Sequence, residues 1–172
     1  ISFTKDPRIQ ELFAQSVDDK YEAVQVKLAN YWRGLTLTHP VQLHLHGLPP
    51  DLIVEIISDF VNEHDAHERK IANYEDWLLA SYGRKFAETF PMQYTRKYHL
   101  TTASNMSTEW LGPRMYRPSL EELLRGALAP WDPDVHYITN FRYPTHGGFV
   151  SYMQDLPKIA DIKLEHQVVA VD

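Results

Sequence analysis

Cysteine is absent from the 172 residues. That excludes disulfides, thiolate metal ligands and a cysteine nucleophile, and it fits a cytoplasmic chain. A basic surplus is missing as well: 17 lysines and arginines face 23 aspartates and glutamates, leaving a net charge of −6. A protein that lives on phosphate-backbone contacts carries the opposite balance, which argues against nucleic acid as a partner. No apolar run reaches the roughly 20 residues that cross a bilayer. The longest candidate, DLIVEIISDFV, is interrupted by Glu55, Ser58 and Asp59, so no transmembrane segment is expected. There is no low-complexity tract, charge block or internal repeat. Without a G-x-S-x-G elbow, a hydrolase triad has no support in the sequence.

What is present suffices for one core with room for a small second lobe, since 44% of the residues are hydrophobic and 12% aromatic. Asp6-Pro7 is a helix start, and RIQELFAQSV follows at helical spacing. In YEAVQVKLANYW, Val24, Val26 and Leu28 alternate with polar residues, the period of a half-buried strand. Arg33-Gly34 turns that strand into LTLTHPVQLHLHGL, which predicts a hairpin. Past Leu48-Pro49-Pro50, DLIVEIISDFVNEHDAHERKI returns to helical period. Asn73 caps YEDWLLASYG, with Gly83 as a joint before a helical RKFAETF, and Pro91 either ends that helix or opens an irregular stretch. SNMSTEWLGPRMYRP reads as loop plus a helical turn, and Ser119 with Glu122 forms a capping box for LEELLRGAL. After a loop, APWDPDVHY, come a strand YITNFRY, a helix from about Phe149 to Lys158 opened by Gly147-Gly148, and short strands IKLE and QVVAVD. The expected class is α+β: a mainly helical domain with a β-hairpin and short edge strands.

Several polar groupings invite chemistry and are weighed against plainer roles. His44-Leu45-His46 on a strand, and His64 with His67 on a helix, have chelating spacing, but no acid or further ligand completes an array, so no metal site is expected. Glu121-Glu122 are consecutive and cannot face each other on a helix. Glu75-Asp76 suit the first turn of a helix, where negative charge meets the dipole.

Both termini bear on domain organisation. The sequence opens ISFTKDPRIQELF, with neither initiator methionine nor signal peptide, and closes on the apolar QVVAVD. An apolar terminal strand calls for a sheet to pair with. The expectation is that residues 1–172 form a single inserted domain, with residues 1–5 and 161–172 crossing back to a second domain.

NYEDWLLASYGRKFAETFPMQYTRKYHLTTASNMSTEWLGPRM resembles a segment of FAD-dependent oxidoreductases of the amine oxidase and protoporphyrinogen oxidase type. The likeness is nearest to the branch that includes UDP-galactopyranose mutase, where an F-x-x-W helix leads to a Y-T-x-K stretch and an arginine-bearing segment. YPTHGGFVSYMQDLPKIADIKLEHQVVAVD is similar to the family's Tyr-Pro, Gly-Gly, amphipathic helix and strand. ISFTKDPRIQELF and GLTLTHPVQ resemble its entry into the substrate domain. The resemblance implies a substrate-binding domain inserted in a split FAD-binding domain of the same polypeptide, excised here from a two-domain flavoprotein. The G-x-G-x-x-G fingerprint is absent, so FAD is implied for the intact protein and not for this piece alone.

The resemblance also implies site residues. Tyr94, Lys97, Arg114 and Arg117 match the segment that grips a nucleotide-sugar diphosphate in the mutases, work suited to a guanidinium fork. Here the mutase-type K-Q-W-G is Lys97-Tyr98-His99-Leu100, and the two arginines stand one residue closer. The plainer reading makes these solvated cations and core aromatics. His39-Pro40 takes the place of a Tyr-Pro, and His39 and Tyr143 are placed with Tyr94 beside a small-molecule substrate. Gly147 and Gly148 either approach the cofactor or simply serve a tight turn of positive φ. Val168 lies in the strand that contacts the FAD adenine in the family, or is an ordinary strand valine. Three functions stay open: positioning a substrate over the flavin of an oxidoreductase, part of a nucleotide-sugar mutase, or a stand-alone helical interaction module. Amines, porphyrinogens, polyenes and sugar nucleotides all remain possible substrates.

Overall fold

Asp6 starts the first helix by accepting the Arg8 N–H at 2.9 Å, and Pro7 supplies the fixed φ that suits a first helical position. The computed structural model describes residues 4–25, 27–65, 70–112, 115–131 and 140–171. They fall into two units, Ile1–Lys27 with Ile138–Asp172, and Leu28–Tyr137. The class is α+β, as the sequence predicts: helices with two small antiparallel sheets.

The first unit holds α1 (Pro7–Gln15), β1 (Tyr21–Gln25), β4 (Asn140–Pro144), a 3-10 turn at Phe149–Met153 and α7 (Leu156–Ile159). β1 and β4 pair antiparallel from Tyr21↔Pro144 to Gln25↔Asn140. α1 packs on the 3-10 turn through Phe13, whose ring lies 4.9 Å from Tyr152 and 6.5 Å from Phe149. Arg142 lies over the Tyr21 ring at 4.7 Å and donates to the Gln10 carbonyl at 3.3 Å, tying sheet to helix.

The second unit begins with the hairpin β2 (Ala29–Trp32) and β3 (Leu35–Thr38). Arg33 and Gly34 turn it with φ of 46° and 86°, the paired positive values that a tight I′-type hairpin turn requires. A cis His39-Pro40 bond leads into 3-10 turns at Val41–Leu43 and Leu45–Gly47. The helices follow: α2 (Pro50–Asp65), α3 (Tyr74–Tyr82), α4 (Arg84–Thr89), α5 (Pro91–His99) and α6 (Leu120–Leu128). Their core centres on Leu37, Leu43, Leu45, Ile56 and Leu78, all under 2% exposed. Burying each such side chain contributes about 1.5–3 kcal/mol.

Backbone close approaches set how these helices lie. At the α3–α4 joint Gly83 has φ 75°, and a Cβ there would sit 2.8 Å from the Phe60 nitrogen of α2. Asp59 on α2 caps α4 from outside, accepting the Lys85 N–H at 2.7 Å. In α6 a Cβ on Gly126 would fall 2.3 Å from the Leu43 carbonyl oxygen, so α6 rests directly on the 3-10 backbone.

Five local expectations are corrected. The single strand over residues 21–32 is two, β1 pairing with β4 and β2 with β3; alternation marks a strand without naming its partner. Residues 41–47 are 3-10 turns. Pro40 offers no ladder donor, and the alternation of Val41, Leu43 and Leu45, all buried, reports inward-facing side chains and not a sheet. The RKFAETF helix does end before Pro91, at Thr89, but in place of an irregular stretch Pro91 opens the regular helix α5 as its first residue. The helix expected over 149–158 is a 3-10 turn and the short α7, because Pro157 cannot donate back into a continuous helix. IKLE and QVVAVD form no ladder among the described residues, where Ile162, Leu164, Val168, Val169 and Val171 are 52–91% exposed.

Candidate functional site

Two sets of candidate residues lie in different units. In the second, α5 carries Tyr94 and Tyr98 one helical turn apart, on the same face. Their rings stack at 5.0 Å and 18°, and both are exposed, 57% and 68%. Lys97 is exposed beside them, in a last turn that also holds Arg96 and His99, where cations complement the helix dipole.

An unbroken chain of ring contacts runs inward from that pair. Tyr98 meets His99 at 5.7 Å, His99 meets Trp110 at 5.7 Å, and Trp110 meets Tyr74 edge-on at 5.0 Å. Tyr74 meets Trp77 at 6.1 Å, and Trp77 meets the buried Tyr82 at 5.8 Å. Burial raises the Tyr74 phenol above its ordinary value, and raises Tyr82 further, with the Tyr74 charge adding and Arg117 opposing. Trp110 is itself fixed by donating its indole N–H to the Ser107 carbonyl at 2.8 Å.

Arg117 joins this assembly from the segment before α6, its guanidinium lying over Trp77 at 4.8 Å from the ring centre. Arg114 lies outside the described residues. His39 stands at the end of the hairpin, half-buried, with Nδ1 3.4 Å from the Asn30 amide nitrogen and its backbone N–H donated to the Leu28 carbonyl at 3.3 Å. Among the described contacts it does not touch the aromatic chain.

In the first unit, Gly147 and Gly148 have φ of 76° and 70°, the tight strand-to-helix turn that was one of the two alternatives for them. A Cβ on Gly147 would strike the Ser151 hydroxyl at 2.3 Å, whereas one on Gly148 would meet only the Tyr143 hydroxyl at 3.7 Å. Tyr143 and Gly148 are thus neighbours. Val168 is 77% exposed.

His44 and His46 have other work. His44 is buried, with its two ring nitrogens 2.8 Å from the Pro40 carbonyl and 3.1 Å from the Trp131 carbonyl. His46 faces the Gly126 carbonyl at 3.3 Å. These rings staple α6 and the residues after it to the 3-10 turns. His64 lies on α2, and His67 outside the described residues. Among the described residues no three His, Asp or Glu side chains converge as a metal site would require.

No model of a known protein family matches this sequence. A solved structure of reduced UDP-galactopyranose mutase matches it at a TM-score of 0.80 over 94% of this chain, with 22% sequence identity. At that identity the likeness is one of fold. The chain spans about a third of the mutase's length, 34%. No helix among the described residues is long and apolar enough to cross a membrane.

Sequence reasoning missed Trp77, Tyr98, His99 and Trp110 as parts of one aromatic assembly. The signal for Tyr98 was available in its four-residue spacing from Tyr94; Trp77 and Trp110 come together only through packing.

Proposed function

We propose that this chain is the substrate-binding domain of an FAD-dependent enzyme of the amine oxidase-like class, presenting a small-molecule substrate to the flavin of a partner domain in the same polypeptide. The observation that carries the reading is the exposed Tyr94–Tyr98 stack with Lys97 beside it and Arg117 seated on Trp77, on a fold shared with part of UDP-galactopyranose mutase. Stacked rings supply apolar surface for a planar or ring-shaped ligand, and the cations hold an anionic group in register.

The residues present fit FAD as one wall of a site and not as its holder. A Cβ on Gly148 would meet only the Tyr143 hydroxyl, and Val168 is exposed in a segment that pairs with no strand among the described residues. Residues 1–5 and 161–172 are then the crossings to the FAD domain. Bound there, the flavin supplies the electron chemistry; this chain's residues bind, orient and exclude water.

The test is an absorption spectrum of the full-length gene product before and after unfolding. A flavin spectrum with FAD released on denaturation is expected. A folded, colourless protein that takes up no added FAD would overturn the reading and favour a helical interaction module.

A second reading makes the parent a nucleotide-sugar mutase, in which the flavin acts without net redox change. The aromatic platform with Arg117 favours it, since stacking for a base and a fork for a diphosphate are the two demands of that ligand. Arg114→Ala and Arg117→Ala should each weaken UDP-sugar binding at least about tenfold. Unchanged binding in both variants removes this reading and leaves the first standing.

A further inference from the structure

Arg117 is exposed, yet its guanidinium is held over a ring. Its guanidinium rests 4.8 Å above Trp77, a half-buried ring on α3. The backbone that carries it is tied down on each side. The Tyr82 hydroxyl donates to the Tyr116 carbonyl at 2.7 Å, the Tyr116 hydroxyl donates to the Glu122 carboxylate at 2.5 Å, and the Tyr74 hydroxyl reaches the Met115 sulfur at 4.0 Å. Pro118, directly after it, is buried. No carboxylate among the described residues forms an ion pair with Arg117. A guanidinium held over an indole and without a carboxylate partner has N–H groups left for a ligand, and its fork matches two oxygens of a phosphate.

We propose that Trp77 is the positioning residue that presents the N–H edge of Arg117 to the phosphate groups of a nucleotide ligand. The proposal rests on the reading of Arg117 as the anion-gripping residue. Without the ring beneath it, the long side chain samples many rotamers and must be ordered at the moment of binding, which lowers affinity without touching the contact itself.

The experiment titrates the full-length protein with UDP and, separately, with uridine, which has the base and no phosphate. Arg117→Ala should weaken UDP at least about tenfold. Trp77→Met, which fills space without a π face, should weaken UDP about three- to fivefold, and Trp77→Phe, which keeps a face, less than about twofold. Uridine affinity should stay unchanged in all three. Combining Trp77→Met with Arg117→Ala should be no worse than Arg117→Ala alone. The proposal is overturned if the two losses add, if Trp77→Met weakens uridine as much as UDP, or if it leaves UDP untouched while Arg117→Ala does not. Should the Met variant fail to fold, Arg117→Lys carries the test. It keeps the charge without the planar guanidinium, should weaken UDP about threefold or more, and should make an added Trp77→Phe silent; wild-type binding by Arg117→Lys overturns the proposal. Unchanged UDP binding in Arg117→Ala, or no UDP binding by the parent, instead removes the reading of Arg117 on which the proposal stands.

Discussion

Replacing Gly126 by alanine pits two effects against each other. In a solvated helix the change gains about 1 kcal/mol, because glycine costs the most backbone entropy. Here the new Cβ would sit 2.3 Å from the Leu43 oxygen, 2.5 Å from the Leu43 carbonyl carbon and 3.1 Å from the His44 nitrogen. The obstacle is backbone, which cannot rotate away as a flexible side chain can. Ordinary contact would require α6 to withdraw by about an ångström, and a tightly packed interior resists such a shift. Forced overpacking costs about 1–3 kcal/mol, and loosening the 3.3 Å contact of His46 with the Gly126 carbonyl adds about 1 kcal/mol. Net of the propensity gain, Gly126→Ala should destabilise by about 1–3 kcal/mol, lowering the melting temperature by about 2–12 °C in a chain of this size. Urea and thermal unfolding followed by far-UV circular dichroism measure both quantities. Gly34→Ala is the control: no atom lies within 4 Å of its Cβ, and only its φ of 86° opposes the change, a strain of about 1 kcal/mol. A Gly126→Ala protein more stable than the parent by about 1 kcal/mol would refute the close approach, since helix propensity alone would then govern the site.

Three further outcomes are expected. Tyr82 holds its proton in the folded chain well above its ordinary value of 10.0, mainly through burial. The unfolded chain loses that proton near pH 10.0, so stability is complete below that pH and falls as pH rises beyond it. Tyr82→Phe should flatten the alkaline fall in urea midpoints while costing about 1 kcal/mol near neutrality, because the Tyr116 carbonyl loses its donor. For Glu122, burial pushes the carboxyl up, but donation by the Ser119 N–H, the Tyr116 hydroxyl and the Ser119 hydroxyl more than offsets it and holds the group below 4.5. Its contribution is therefore present above that value and lost as pH falls through the lowered one; Glu122→Gln should blunt the acid loss seen in thermal melts, and Ser119→Ala should cost about 1 kcal/mol through the capping box. Asp59→Ala removes the acceptor for the Lys85 N–H and should lower the urea midpoint by the equivalent of about 1 kcal/mol, an effect absent if water replaces the cap fully.

Local signals were legible because their causes are local. Asp6-Pro7, Asn73 and the Ser119–Glu122 box each satisfy amides within their own first turn, so residue order alone reveals them. Gly83 was legible as a joint, since few residues tolerate its φ of 75°. What stayed hidden depends on partners far along the chain. Nothing in the alternation of Val24 says that β1 will pair with β4 instead of extending the hairpin. At residues 41–45 the alternation marked Val41, Leu43 and Leu45 as buried but missed both the 3-10 conformation and His44, which is buried between the last two. Asp59 reads as an ordinary polar residue on α2 until α4 is seen with its first amides aimed at it.

The site shows the same division and adds a point about motifs. By residue order, Lys97-Tyr98-His99-Leu100 departs from K-Q-W-G by losing a tryptophan and a glycine. In space, Tyr98 stacks on Tyr94, and His99 brings Trp110 alongside, so an indole stands next to the position where the motif would have carried one. Trp110 reaches that place because Ser107 fixes its ring and Tyr74 supports it, neither of which is adjacent in sequence. An aromatic surface can persist while the residues that build it are exchanged between segments, since stacking depends on a π face and not on its address in the chain. The arginine spacing makes the same point: the Arg117 guanidinium lies over Trp77 on α3, a contact that its distance in sequence from Arg114 does not foretell.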